Sequence, residues 1–168
     1  MKNLIIFIIM AIAIPSFGQT KSIKRFYNKY KHEEHVTNLN LQGWVLKMVA
    51  TFTDDEDMPK ELIRKISHLR ILTFEGGNAV TDREYKNLLS DIRKEHFETV
   101  ITVRDGKEKF HLLIREDDEI ITDAVLFVNS PDEFVLLSLE GAFSLKDLKH
   151  LNLEIDEADH FEHVKGAL

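Results

Sequence analysis

The stretch that decides the fold runs Phe97-Glu98-Thr99-Val100-Ile101-Thr102-Val103-Arg104-Asp105-Gly106-Lys107-Glu108-Lys109-Phe110-His111-Leu112-Leu113-Ile114-Arg115. Its apolar residues alternate with polar ones on either side of Asp105-Gly106, a two-residue turn in which both positions accept positive φ, so it reads as a β-hairpin with fixed register. The same period continues downstream. Asp117-Asp118 separates Lys107–Arg115 from a third segment, Glu119–Asn129, and Ser130-Pro131-Asp132 separates that from a fourth, Glu133–Glu140, with Gly141 expected to end the run. Four successive strands joined by short polar turns form an antiparallel meander. Alternation places Phe97, Ile101, Val103, Phe110, Leu112, Ile114, Ile120, Ala124, Leu126, Val128, Val135, Leu137 and Leu139 on one side. The other side carries Val100, Leu113, Val125, Phe127, Phe134 and Leu136, too apolar for a solvated face, so the N-terminal helical portion or a partner should cover it.

Outward from the meander the period becomes helical. Thr81 with Glu84 three positions on makes a capping box, and Tyr85, Leu88, Leu89 and Ile92 recur at helical spacing to about Glu95. Ser144 caps a further helix to about Leu151, with Leu145, Leu148 and Leu151 on one side. These two helices are expected to cover the first sheet face. Toward the N-terminus, Ile23, Phe26, Tyr27 and Tyr30 mark a helix over Lys21–His32, Val36–Leu41 a short strand, Gly43–Phe52 an apolar helix, Pro59–Ser67 a short helix begun by proline, and His68–Phe74 a strand closed by Gly76-Gly77-Asn78. The fold class is therefore α+β: a four-stranded antiparallel C-terminal meander, with room for one or two N-terminal strands, flanked by helices in a layered sandwich.

Length, charge and composition bound the function. Of 168 residues, Met1-Lys2 and the apolar run Leu4–Ile14, followed by Pro15 and Ser16-Phe17-Gly18, read as a signal peptide over residues 1–18; the run is too short to span a bilayer. The mature chain then divides into one domain, 19–151, and an acidic tail, 152–168, and is expected to be exported, periplasmic or secreted, with no membrane anchor after cleavage. No cysteine is present, so disulfides, thiolate nucleophiles, cysteine metal sites and lipid-modified cysteine are excluded. A net charge of −7, with nothing in the composition resembling a basic tract, argues against nucleic acid as a partner.

Several strings resemble the family known as domain of unknown function 4252, small exported proteins of Gram-negative bacteria. They are Phe26-Tyr27-Asn28-Lys29-Tyr30, Val36-Thr37-Asn38-Leu39-Asn40-Leu41, Leu69-Arg70-Ile71-Leu72-Thr73-Phe74, and Val135-Leu136-Leu137-Ser138-Leu139-Glu140-Gly141 followed by Phe143-Ser144-Leu145-Lys146-Asp147-Leu148. Together they span most of residues 22–151. None is a catalytic signature, and the family has no assigned catalytic or binding residues to carry over. Proximity of its members to regulators of envelope stress implies an envelope role.

Candidate chemistry is sparse. His32 with His35 and His160 with His163 are spaced by three beside carboxylates, a pattern that a zinc or nickel ion can use, so a metal-binding protein or metal-dependent hydrolase is the alternative reading. The other histidines sit at element ends or on strand faces. Asp54-Asp55-Glu56-Asp57 lacks the alternating acids, central glycine and distal glutamate of an EF-hand loop, and reads as a loop between helices. No serine has a G-x-S-x-G setting, and Gly76-Gly77 opens no phosphate-binding loop. Trp44, Val45, Met48, Val49 and Phe52 at helical spacing read first as a core face; exposed, they would form a groove or partner surface. The expected role is a noncatalytic envelope interaction or binding module without cofactor, in contact with an envelope protein or a second copy through Trp44, Met48 and Phe52 or through the sheet face at Phe127 and Phe134.

Overall fold

The computed structural model describes residues 20–52 and 60–149. The expected signal segment, the acidic run 54–57, and residues 150–168 with His160 and His163 lie outside the described residues. Within them the order is α1 (Lys21–Tyr30), β1 (Val36–Gln42), α2 (Gly43–Phe52), α3 (Lys60–Lys65), β2 (Ile66–Phe74), α4 (Asp82–Lys94), β3 (Glu98–Asp105), β4 (Glu108–Asp117), β5 (Ile120–Asn129), β6 (Phe134–Phe143) and α5 (Leu145–Lys149).

The four meander strands form as expected, and β2 then pairs antiparallel with β6 and β1 with β2, giving one six-stranded sheet in the order β1-β2-β6-β5-β4-β3. Both N-terminal segments thus extend the meander. Both turns fall one residue later than the sequence places them: Asp105 stays in β3 opposite Glu108, so Gly106 (φ 54°) and Lys107 make the first, and Asp118 and Glu119 (φ 47° and 64°) make the second, between β4 and β5. Gly141 does not end β6, which continues to Phe143. A β-carbon at Gly141 would overlap the Lys65 carbonyl oxygen, so glycine here admits the end of α3 against the strand.

Helix α4 carries the expected capping box: the Thr81 side chain accepts from the Glu84 backbone N–H, and the Glu84 carboxylate accepts from Thr81 N–H at 3.1 Å. It runs antiparallel to α1, as three cross-links show: Ser22 to Glu95, Arg25 to Asp91 at 2.9 Å, and Lys29 to Glu84. The Lys29 ammonium, then Thr81, holds the Glu84 carboxyl down to about 2.

These two helices cover the sheet face opposite to the one expected for α4. Ile23, Phe26, Tyr27 and Tyr30 of α1 and Tyr85, Leu88, Leu89 and Ile92 of α4 pack with Leu72, Phe74, Leu113, Val125, Phe127, Phe134 and Leu136. Phe127 and Phe134, expected at an interaction surface, are fully buried there. On the other face, Leu62, Ile66, Ile114, Ile121, Ala124, Leu139 and Phe143 form a second core, with Leu46 and Leu69 against it, under α2 and α3. Ile71, Phe110, Val128, Val135 and Leu137 on that face are half-buried. The central strands are apolar on both sides because helices lie on both, and alternation alone does not say which helix takes which side.

Two histidines lie within the α1/α4 face. Tyr85 Oη and Nδ1 of His111 share a hydrogen bond of 2.7 Å whose direction follows the imidazole tautomer, and burial pushes His111 below its usual 6.5. Burial, then the Arg70 guanidinium, does the same to His68. The unfolded chain takes up protons through 6.5 while the folded one resists them, so this contribution to stability is complete above 6.5 and lost as pH falls below it. The urea midpoint should therefore drop between about pH 7.5 and about pH 5.5, and the drop should flatten in a His68→Gln/His111→Gln variant. An unchanged slope in that variant would remove the histidines as its source.

Candidate functional site

Two features of the described residues stand outside ordinary packing: an inverted helix and a buried row of charges.

Helix α2 is apolar around most of its circumference, GWVLKMVATF with a single lysine. Its small side faces inward. Gly43 and Ala50 are buried, and a β-carbon at Gly43 would overlap the Ile66 carbonyl oxygen, so glycine lets the helix start directly on the backbone of β2. The large side chains face out: Trp44 is 67% exposed, Met48 46% and Phe52 81%, at steps of four along one stripe. The core reading of Trp44, Met48 and Phe52 is thereby replaced by the surface reading. A helix with apolar residues on all sides has no amphipathic signal to orient it, and close backbone approach at Gly43 decides instead.

The charged row lies at the end of the α1/α4 face. Register sets His68 opposite Glu140, Glu140 opposite Asp123 and Asp123 opposite Arg115, four adjacent strands contributing one residue each. All three strand pairs carry a register shift at or beside this row, a local irregularity that re-aims side chains. His68, Arg70 and Asp123 are buried. Arg70 donates to Glu140 and lies 3.0 Å from His68 Nδ1, while His68 Nε2 meets Asn40. Arg115 grips one oxygen of Asp123 with two donors at 2.9 and 2.7 Å, Thr122 adds a third, and the Arg115 guanidinium stacks 5.2 Å from the Phe97 ring. Burial nevertheless pushes the Asp123 carboxyl above its usual value, with Thr122 and Arg115 opposing it. Each charge is matched inside the row. Matched charges on four adjacent strands favour this strand order and register. Sequence reading missed it, although Arg70, Asp123 and Glu140 are charges inside otherwise apolar strands, which is the signal that marks a buried pair.

The histidine pairs gain nothing. His32 and His35 are exposed in the turn between α1 and β1, His35 with φ 63°, and among the described residues no three His, Asp or Glu side chains are placed to hold a metal ion. His160 and His163 lie outside the described residues. His96 takes φ 67° just after α4, a left-handed residue ending a helix. No described helix is long and apolar enough to cross a membrane.

No curated protein and no solved structure matches the chain. The family model described as "Domain of unknown function (DUF4252)" matches residues 30–151, which takes in every strand and all helices but α1. Over that span, well beyond half of its length, the chain belongs to the family of domain of unknown function 4252.

Proposed function

We propose that this chain is an exported, noncatalytic binding module of the bacterial envelope that seats the α2 stripe in a groove of a partner protein. The observation that carries this reading is the outward projection of Trp44, Met48 and Phe52 from a helix whose small residues are buried. A tryptophan and a phenylalanine two turns apart on one helix are the anchors of helix-in-groove recognition, and large aromatic side chains supply most of the energy of such contacts. The chain passes from Phe52 directly into Thr53-Asp54-Asp55-Glu56-Asp57. The groove should accordingly be apolar with basic side chains at the rim that receives this end. Export rests on the apolar N-terminal segment and on the resemblance of the chain to exported proteins.

Trp44 is the sole tryptophan, so its fluorescence reports the stripe directly. In the isolated folded protein it should be quenched by iodide. A photoreactive amino acid at position 44 should cross-link in cells to one partner carrying an apolar groove, and Trp44→Asp/Phe52→Asp should lose that partner while keeping the unfolding midpoint within about 0.5 kcal/mol of wild type. Cross-links to a second copy, or into residues 150–168, would overturn the partner reading.

A further inference from the structure

The β3–β4 hairpin sorts its charges by face. Register puts Arg104 directly opposite Lys109, and Asp105 directly opposite Glu108. Like charges in directly opposed positions weaken a strand pair, and exchanging one residue of each pair would have given two attractive ones. The arrangement gathers cations on one face at the expense of the hairpin. That face is the α4 side of the sheet, where Lys109 also stands opposite Asn129 of β5.

Arg104, Lys107, Lys109, Asn78 and Asn129 line a cleft of ≈450 Å³ between the hairpin, the start of α4 and the loop after β5. Arg104 and Lys107 are exposed and form no ion pair among the described residues. Asn129 is 5% exposed, and its Oδ1 accepts from Asn78 Nδ2 at 2.6 Å. Its own Nδ2 donates to no described residue and is reached by solvent at the wall of the cleft, so its donors are open to a ligand. One carboxylate intrudes: Asp82 accepts from Lys109 at 2.9 Å. In a chain of net charge −7 this concentration of cations is no general surface property.

We propose that this cleft is a binding site for a phosphorylated small molecule. An Arg fork, two ammonium groups and carboxamide donors around one cavity suit a group with about two negative charges and three acceptor oxygens, where a carboxylate offers one charge and two coplanar oxygens. The cleft is of ordinary small-ligand size, so the rest of the molecule fits beside its phosphate. The site is separate from the α2 stripe and does not depend on the function proposed for it.

The test is an amide NMR titration of the full mature chain at constant ionic strength with glucose 6-phosphate, with inorganic phosphate, with citrate and with phosphatidate vesicles. Glucose 6-phosphate should give saturable shifts confined to residues 78–82, 104–109 and 129–131, tighter than inorganic phosphate. Arg104→Gln and Lys107→Gln, both on the surface, should each weaken binding roughly fivefold, and Asp82→Asn should tighten it roughly threefold by removing the competing charge. Asn129→Leu should abolish it; if that variant fails to fold, the surface variants decide. Shifts scattered over all lysines and arginines, equal binding of citrate, binding of vesicles alone, or no effect of Arg104→Gln and Asp82→Asn would overturn the proposal.

Discussion

Replacing Phe134 by alanine is expected to lower the free energy of unfolding by about 3–5 kcal/mol. Phe134 is fully buried, and its ring lies 5.4 Å from Phe26, 5.6 Å from Phe74, 6.0 Å from Tyr85 and 6.2 Å from Phe127. It joins α1, β2, α4 and β5 at one point, and four tilted or edge-on aromatic contacts leave with it. Since a domain of this size has about 5–15 kcal/mol of stability in all, the variant should be close to unfolding at room temperature. Urea denaturation with the slope held common to both proteins is the measurement. Phe52→Ala is the internal control: at 81% exposure it should shift stability by less than about 0.5 kcal/mol. Equal effects of the two substitutions would mean that the helices have been assigned to the wrong faces.

Arg70→Met should cost about 3 kcal/mol or more at neutral pH, because it strands Glu140, whose side chain is 18% exposed, without its cation. Asp123 stands directly opposite Glu140 in the neighbouring strand, so the orphaned carboxylate would also face a second negative charge. Adding Glu140→Gln should recover part of the loss at neutral pH, giving a coupling energy of about 1–3 kcal/mol in a double-mutant cycle. Additivity of the two substitutions would show that the pair is not coupled.

Much of the architecture is legible one segment at a time. Thr81 with Glu84 fixes the start of α4, and Asp105-Gly106 locates the first hairpin to within one residue, because turn and cap chemistry act over two to four residues. A turn at Asp105-Gly106 would set Arg104 against Lys107; the turn one residue later sets it against Lys109, so the charge pairing at the cationic cleft was not legible in the sequence. Asn129 and Asn78 reach it only through the fold. The faces left open share one cause. The side of Phe127 and Phe134 was open to the N-terminal helical portion or a partner, and Trp44 and Phe52 to the core or a partner, since each lies in an element apolar on more than one side and carries no local sign of direction. Gly141 read as a stop because nothing nearby in sequence reports the Lys65 carbonyl lying against it.

By itself, then, the sequence determined the meander, its turns to within one residue, the α4 cap, the helical spacing of Trp44, Met48 and Phe52, and the exclusion of cysteine chemistry, all of which follow from residues a few positions apart. Only the tertiary structure decided that β1 and β2 extend the sheet past β6, that α1 and α4 share a face, that α2 turns its aromatic side outward, and that His68, Arg70, Glu140, Asp123 and Arg115 meet in one buried row. The physical reason is range: dihedral and capping preferences are local, whereas burial and charge pairing depend on which strands and helices the closed sheet brings side by side.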